Sequence, residues 1–212
     1  MKTEERYREV EDLPREYAGR KRMIRARLED FARVSREEYF YELAYCLMTP
    51  QSSAVNAGKA VERLKEAEFL SKEIDASAIL FRKDHYIRFH NTKARRLREA
   101  KQSLPQILDA LGAGSHPADT RSWFVKNVKG LGWKEASHFL RNIGYRDLAI
   151  LDRHILRNLR RHRIIRSLPK SLTPARYQAI EGKFRRFADD VGIPMDELDL
   201  LFWSRETGEI LK

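Results

Sequence analysis

Val125-Lys126-Asn127-Val128-Lys129-Gly130-Leu131-Gly132-Trp133-Lys134-Glu135-Ala136-Ser137-His138-Phe139-Leu140 decides how this chain is read. It begins in a helix that ends at Val128, turns through two glycines flanking Leu131, and enters a second helix near Trp133. Glycine permits positive φ and close backbone approach, so Gly130 and Gly132 allow a tight hairpin. The N–H groups at the start of the second helix can hold a phosphate. Leu131 plugs the angle between the helices. Such a hairpin grips a nucleic-acid backbone and fixes position without reading bases. Gly130, Leu131 and Gly132 are therefore candidate DNA-binding residues.

Lys134 falls in the first turn of the second helix. A helix's positive end disfavours a cation, so a lysine there invites a functional reason. At an ordinary pKa near 10.4, roughly one amine in 2,500 is neutral at pH 7. A nucleophilic lysine must therefore be depressed by desolvation or neighbouring positive charge. In a basic protein the same lysine could simply bind phosphate, and the hairpin alone leaves both roles open. Eighteen residues after Lys134, the apolar run Leu148-Ala149-Ile150-Leu151 delivers Asp152 to the threshold of Arg153-His154-Ile155-Leu156. Asp152 reads as a helix N-cap. A capping aspartate can still face a cleft, so the two roles coexist.

Outward from this block the pattern is helical. Tyr39-Phe40-x-x-Leu43-Ala44-x-x-Leu47-Met48 repeats apolar residues at helical spacing until Thr49-Pro50. Further helices are expected over 53–69, 93–111, 118–128, 134–143, 153–161, 174–191 and 197–203. Ile87-Arg88-Phe89 is too short to define a strand, and no Asn-Gly or Asp-Gly hairpin occurs. The fold class is all-α. The first thirty-odd residues read as a charged amphipathic stretch broken by Pro14 and Gly19.

Composition bounds the function. Lys+Arg of 42 against Asp+Glu of 31 gives +11 and favours a polyanionic partner, most often nucleic acid. A basic, heat-adapted soluble protein would show a similar balance. Among 212 residues there is no apolar run of membrane-spanning length, about eighteen residues. Residues 1–13 are charged throughout and lack the apolar stretch of a signal peptide, so an intracellular protein is expected. One cysteine, Cys46, allows no intramolecular disulfide and no cysteine cluster for zinc or iron–sulfur. No His/Asp/Glu set has metal spacing, and His138 and His154 read as core or surface residues.

A Gly-Leu-Gly hairpin followed by lysine, with an aspartate eighteen residues on, resembles the helix-hairpin-helix superfamily of DNA glycosylases. More narrowly, residues 129–145 and 152–156 look like the archaeal-type 8-oxoguanine DNA glycosylases, the second of three classes. Glu197-Leu198-Asp199-Leu200 and the final Thr207-Gly208-Glu209-Ile210-Leu211-Lys212 fit the same class. The likeness runs from about Glu38 onward. The absent four-cysteine cluster separates this chain from endonuclease III-like relatives.

The resemblance implies a bifunctional glycosylase/AP lyase acting on double-stranded DNA that contains 8-oxoguanine. Lys134 would form a Schiff base at deoxyribose C1′ and permit β-elimination. Asp152 would stabilise positive charge on the sugar or assist proton transfers. Phe89 would stack on the extruded base and Gln51 would sit near the gap left in the duplex. Trp203 and Lys212 would belong to the base-recognition end. Each of these four has a plainer reading: core for Phe89, packing for Trp203, helix capping for Gln51, a frayed end for Lys212. The implied protein is a monomer needing no metal and no organic cofactor, although a cation could sit at the hairpin carbonyls. Two helical subdomains are expected, with DNA bound across the cleft between them. One is 35–151, with the hairpin motif at about 122–143; the other joins 1–34 to 152–212. A glycosylase for another oxidised base, or a non-catalytic hairpin protein that binds DNA, is the alternative.

Overall fold

A computed structural model of the chain describes residues 6–208 and 210. Its described elements are helical, with no strand among the described residues. It divides into two compact units: Val34–Phe139, and a second joining Met1–Arg33 to Leu140–Lys212.

The central unit is built on α2, Tyr39–Met48, whose Phe40, Leu43, Ala44, Cys46, Leu47 and Met48 are all buried. Burying one such leucine or phenylalanine contributes about 1.5–3 kcal/mol. Against it lies α3, Ala54–Glu66, with Ala57, Ala60, Val61 and Leu64 on its inner face. Ser53 caps that helix by accepting from the Asn56 N–H. A short turn of helix, α4 (Ser77–Leu80), leads to α5 (His90–Gln102) and α6 (Leu104–Gly112). The expected single helix over 93–111 is thus two, parted at Ser103. Pro105 lacks an N–H and cannot continue the ladder, but it is tolerated in the first turn of α6. The unit continues through α7 (Pro117–Asn127) into α8 (Trp133–Asn142), within which the division between the units falls.

In the end-joined unit, α1 runs unbroken over Leu13–Ala32. Here the expectation of a stretch broken by Pro14 and Gly19 fails. Pro14 lies in the first turn, where its missing N–H costs nothing. Gly19 costs about 1 kcal/mol against alanine, too little to part a helix that buries Leu13, Tyr17, Ile24, Leu28 and Phe31. Next come α9 (Arg153–Arg161), α10 (Pro174–Val191) and α11 (Met195–Thr207). The α11 helix buries Leu198, Leu200, Leu201 and Phe202. It is tied to α1 by Glu197, which accepts from the Tyr17 hydroxyl and from Arg25, and by Arg205, which donates to Glu16 at 2.6 Å.

Residues 140–151 belong to this unit and not, as expected from sequence, to the central one. Their backbone is held from within it. The Ala149 N–H donates to Glu181 at 2.9 Å and the Leu151 N–H to the Tyr177 hydroxyl at 3.2 Å. That hydroxyl in turn donates to the Ala149 carbonyl at 2.6 Å. Gly144, at φ +94°, brings this segment against α1, where a Cβ would stand 3.0 Å from the Ala32 Cα. Among the described residues no helix is long and apolar enough to cross a membrane.

Candidate active site and DNA interface

The hairpin is made by short-range bonds. The Val128 N–H closes α7 on the Phe124 carbonyl at 2.9 Å. The Leu131 N–H donates to the Val128 carbonyl at 3.2 Å, with Gly130 between them at φ +98°. The Gly132 carbonyl accepts from the Ala136 N–H at 2.9 Å and so opens α8. Leu131 is buried, as a plug between helices must be. Of the two glycines, only Gly130 takes positive φ. At Gly132 a Cβ would lie 2.9 Å from Glu135 Oε2, the end of a flexible side chain that can move aside.

Arg121 locks the start of α8 onto α7. Its buried guanidinium lies 4.7 Å from the Trp133 ring centroid and donates to Ser137 Oγ at 3.2 Å. Lys134, next to Trp133, is thereby held in the first turn of α8. Its side chain is 28% exposed, so the amine can be reached, and Nζ is 3.3 Å from Glu135 Oε1. Attack on a sugar carbon requires the amine to leave that carboxylate and lose its proton. Beside the hairpin, Arg95, Arg96, Glu99, Lys129 and Gly130 line an open groove with three cationic side chains, suited to a phosphate backbone.

Gln51 and Phe89 are also in the central unit. Both are non-glycine residues in the left-handed region, at φ +58° and +60°. Such backbone costs on the order of 1–3 kcal/mol and persists only where its surroundings fix it. Phe89 is 51% exposed, which removes the core reading, and the Arg88 guanidinium lies 5.0 Å from its ring centroid. Gln51 is exposed in the turn closed by the Ser52 N–H on the Thr49 carbonyl. Ser53, not Gln51, caps the helix that follows.

In the end-joined unit Asp152 caps α9. Its Oδ1 accepts from the His154 and Ile155 N–H groups, both at 2.8 Å. Both bonds fall on one oxygen, so the other is not needed for capping. Behind it lies Asp199, buried and paired with Arg141 at 3.3 Å. Burial pushes Asp199 up to about 7; Arg141 opposes this, while the carboxylates of Asp152 and Asp196 add to it. Trp203, half-buried on α11, meets the His154 ring edge-on at 6.5 Å between centroids. Lys212 lies outside the described residues.

Sequence reasoning missed Arg121, the lysine Lys93 on the buried face of α5, and Arg96, which lies across Gly130. For Lys93 a signal exists: it shares the helical register of Leu97 and Ala100, where an apolar residue belongs. Among the described residues no group of three or more His, Cys, Asp or Glu could hold a metal ion.

Two helices joined through the Gly130-Leu131-Gly132 turn define a helix-hairpin-helix motif, the class of fold to which the chain belongs. The comparisons narrow this. The family model described as 8-oxoguanine DNA glycosylase matches residues 24–193, and the chain belongs to that family. The 8-oxoguanine DNA glycosylase/AP lyase of Fusobacterium nucleatum is 38% identical over the full length of both chains. That of Korarchaeum cryptofilum is 40% identical over 96% of this chain and 97% of its own. The Methanocaldococcus jannaschii 8-oxoguanine glycosylase/lyase, solved with a 15mer DNA containing 8-oxoguanine, superposes with a TM-score of 0.83. It is 32% identical and covers 94% of this chain and 99% of that one.

Proposed function

We propose that this chain is a bifunctional DNA glycosylase/AP lyase that excises 8-oxoguanine from double-stranded DNA inside the cell. The observation that carries the reading is Lys134, a reachable amine fixed by Arg121 and Trp133 directly behind a phosphate-gripping hairpin. Family membership supplies the lesion, since the relatives named above are 8-oxoguanine enzymes.

The hairpin N–H groups and the groove of Arg95, Arg96 and Lys129 hold the backbone. The damaged nucleotide is extruded, because its C1′ is unreachable within the stack. Lys134 Nζ attacks C1′ as the C1′–N9 bond breaks, and the base leaves with a proton. Asp152, through the oxygen its cap does not use, stabilises the oxocarbenium-like cation that forms on the sugar. The attached amine gives up one proton and keeps the other as O4′ is protonated and the ring opens to a C1′ iminium. Abstraction of a C2′ proton then expels the 3′ phosphate. Phe89 stacks on the extruded base and Gln51 sits near the gap left in the duplex. Trp203 shapes the recognition end, to which the resemblance also assigns Lys212. None of these steps requires a cofactor.

A panel of duplexes bearing single lesions tests the reading. 8-Oxoguanine should be released and its strand cut, with borohydride trapping the enzyme on the DNA. Release of oxidised pyrimidines in its place would move the chain to another lesion. Binding with neither release nor trapping would leave a hairpin protein without catalysis.

A further inference from the structure

Lys93 is 2% exposed, yet its amine has a full set of acceptors. Nζ stands 2.6 Å from the Met48 carbonyl, 2.6 Å from the Pro50 carbonyl and 3.4 Å from Ser52 Oγ. An ammonium has three hydrogens, and here they meet three neutral oxygens. Met48 ends α2, where carbonyls lack helical partners and a cation is favoured. Among the described residues no carboxylate accepts from the amine, so burying this charge is costly. An apolar side chain would fill the space at lower cost, so what the charge supplies is geometry.

That geometry joins two turns. Lys93 gathers the turn that carries Gln51. Ser52 Oγ also accepts from the Arg88 N–H at 3.0 Å, and Asn56 Nδ2 donates to the Tyr86 carbonyl at 3.1 Å. The Lys93 N–H itself donates to the Phe89 carbonyl at 3.0 Å. The turn bearing Gln51 and the turn bearing Phe89, both held at positive φ, therefore converge on one buried residue.

We propose that Lys93 is a positioning residue that fixes Phe89, the stacking platform of the extruded base, against the turn that carries Gln51. This rests on the roles given to Gln51 and Phe89 above. Burial, with Arg96 adding to it, pushes the Lys93 amine down to about 8. A depressed lysine is the usual mark of a nucleophile. This one is sealed from solvent with its protons engaged, so it does not compete with Lys134.

The test compares two single-turnover rates: release of 8-oxoguanine from duplex, and strand cleavage at a preformed abasic site, which has no base to stack. For Lys93→Met, excision should fall on the order of 10²-fold, the effect of a misplacement near 1 Å. Abasic cleavage should stay within about threefold, because a lost base platform costs it little. Ser52→Ala removes the Ser52–Arg88 link between the turns while keeping both carbonyl bonds of Lys93, and should give the same split at smaller size. If Lys93→Met does not fold, Ser52→Ala is judged by the same criterion alone. Equal loss of both rates, or undiminished excision, overturns the inference. Phe89→Ala serves as control: if it keeps full excision, the reading of Phe89 is wrong, whatever Lys93 does.

Discussion

Asp152→Asn separates two jobs of one side chain. Capping uses Oδ1 alone, through two N–H···O bonds of 2.8 Å. A carboxamide oxygen accepts the same pair, and asparagine and aspartate are near-equal N-caps, so stability should change by only a few tenths of a kcal/mol. Removing the charge also relieves Asp199, which Asp152 helps push upward, and this offsets part of any loss. Asp152→Ala, by contrast, loses the cap at about 1 kcal/mol, or roughly 2–4 °C in Tm for a chain of this size. Catalysis should not follow that order. Both variants lose the charge proposed to stabilise the sugar cation, a term of about 2.7–4 kcal/mol or 10²–10³-fold in rate. Excess enzyme over 8-oxoguanine duplex gives the single-turnover rate, and calorimetry gives Tm. Expected is Asp152→Asn with near wild-type Tm and at least a hundredfold slower excision. An Asp152→Asn protein that keeps its rate would reduce Asp152 to a cap and refute the reasoning.

Gly144→Ala should destabilise by about 1–3 kcal/mol, from φ strain and from a Cβ 3.0 Å from the Ala32 backbone; an unchanged urea midpoint would contradict this. DNA affinity should fall steeply with salt, with a log–log slope near −5 for about six phosphates. Gly132→Asp should weaken binding to damaged and undamaged duplexes alike, and salt-independent binding would remove the backbone-grip account. Lys93, at about 8 when folded against an ordinary 10.5, binds fewer protons folded than unfolded between those values. Stability from this group therefore rises with pH across 8 to 10.5; urea melts at pH 8 and 10 should show a rise in wild type that Lys93→Met lacks, and equal slopes would contradict it.

What could be read from sequence was what local spacing determines. Gly130 to Ala136 fold through bonds within a few residues, and Asp152 caps through its next neighbours, so motif and chemistry lie together in the chain. The limits of α9 and α10 were legible for the same reason. Tertiary effects were not. Pro14 and Gly19 fail to break α1 because its buried face outweighs their local cost. Residues 140–151 join the end-built unit through Tyr177 and Glu181, partners more than twenty-five positions away. The platform under Gln51 and Phe89 depends on Lys93 reaching back 45 residues to Met48, a distance across which no periodicity speaks. Phe89 was pulled toward the core by its apolar character, and only its exposure assigns it to the surface.

The central claim is that Lys134 is the nucleophile, and the direct measurement is the site of covalent trapping. Wild-type protein and Lys134→Gln are incubated with 8-oxoguanine duplex and borohydride, and the cross-linked peptide is mapped by mass spectrometry. The account predicts one adduct, on Lys134, and a variant that binds duplex within a few-fold of wild type but neither traps nor releases the base. An adduct on another lysine, or undiminished trapping by Lys134→Gln, would contradict it.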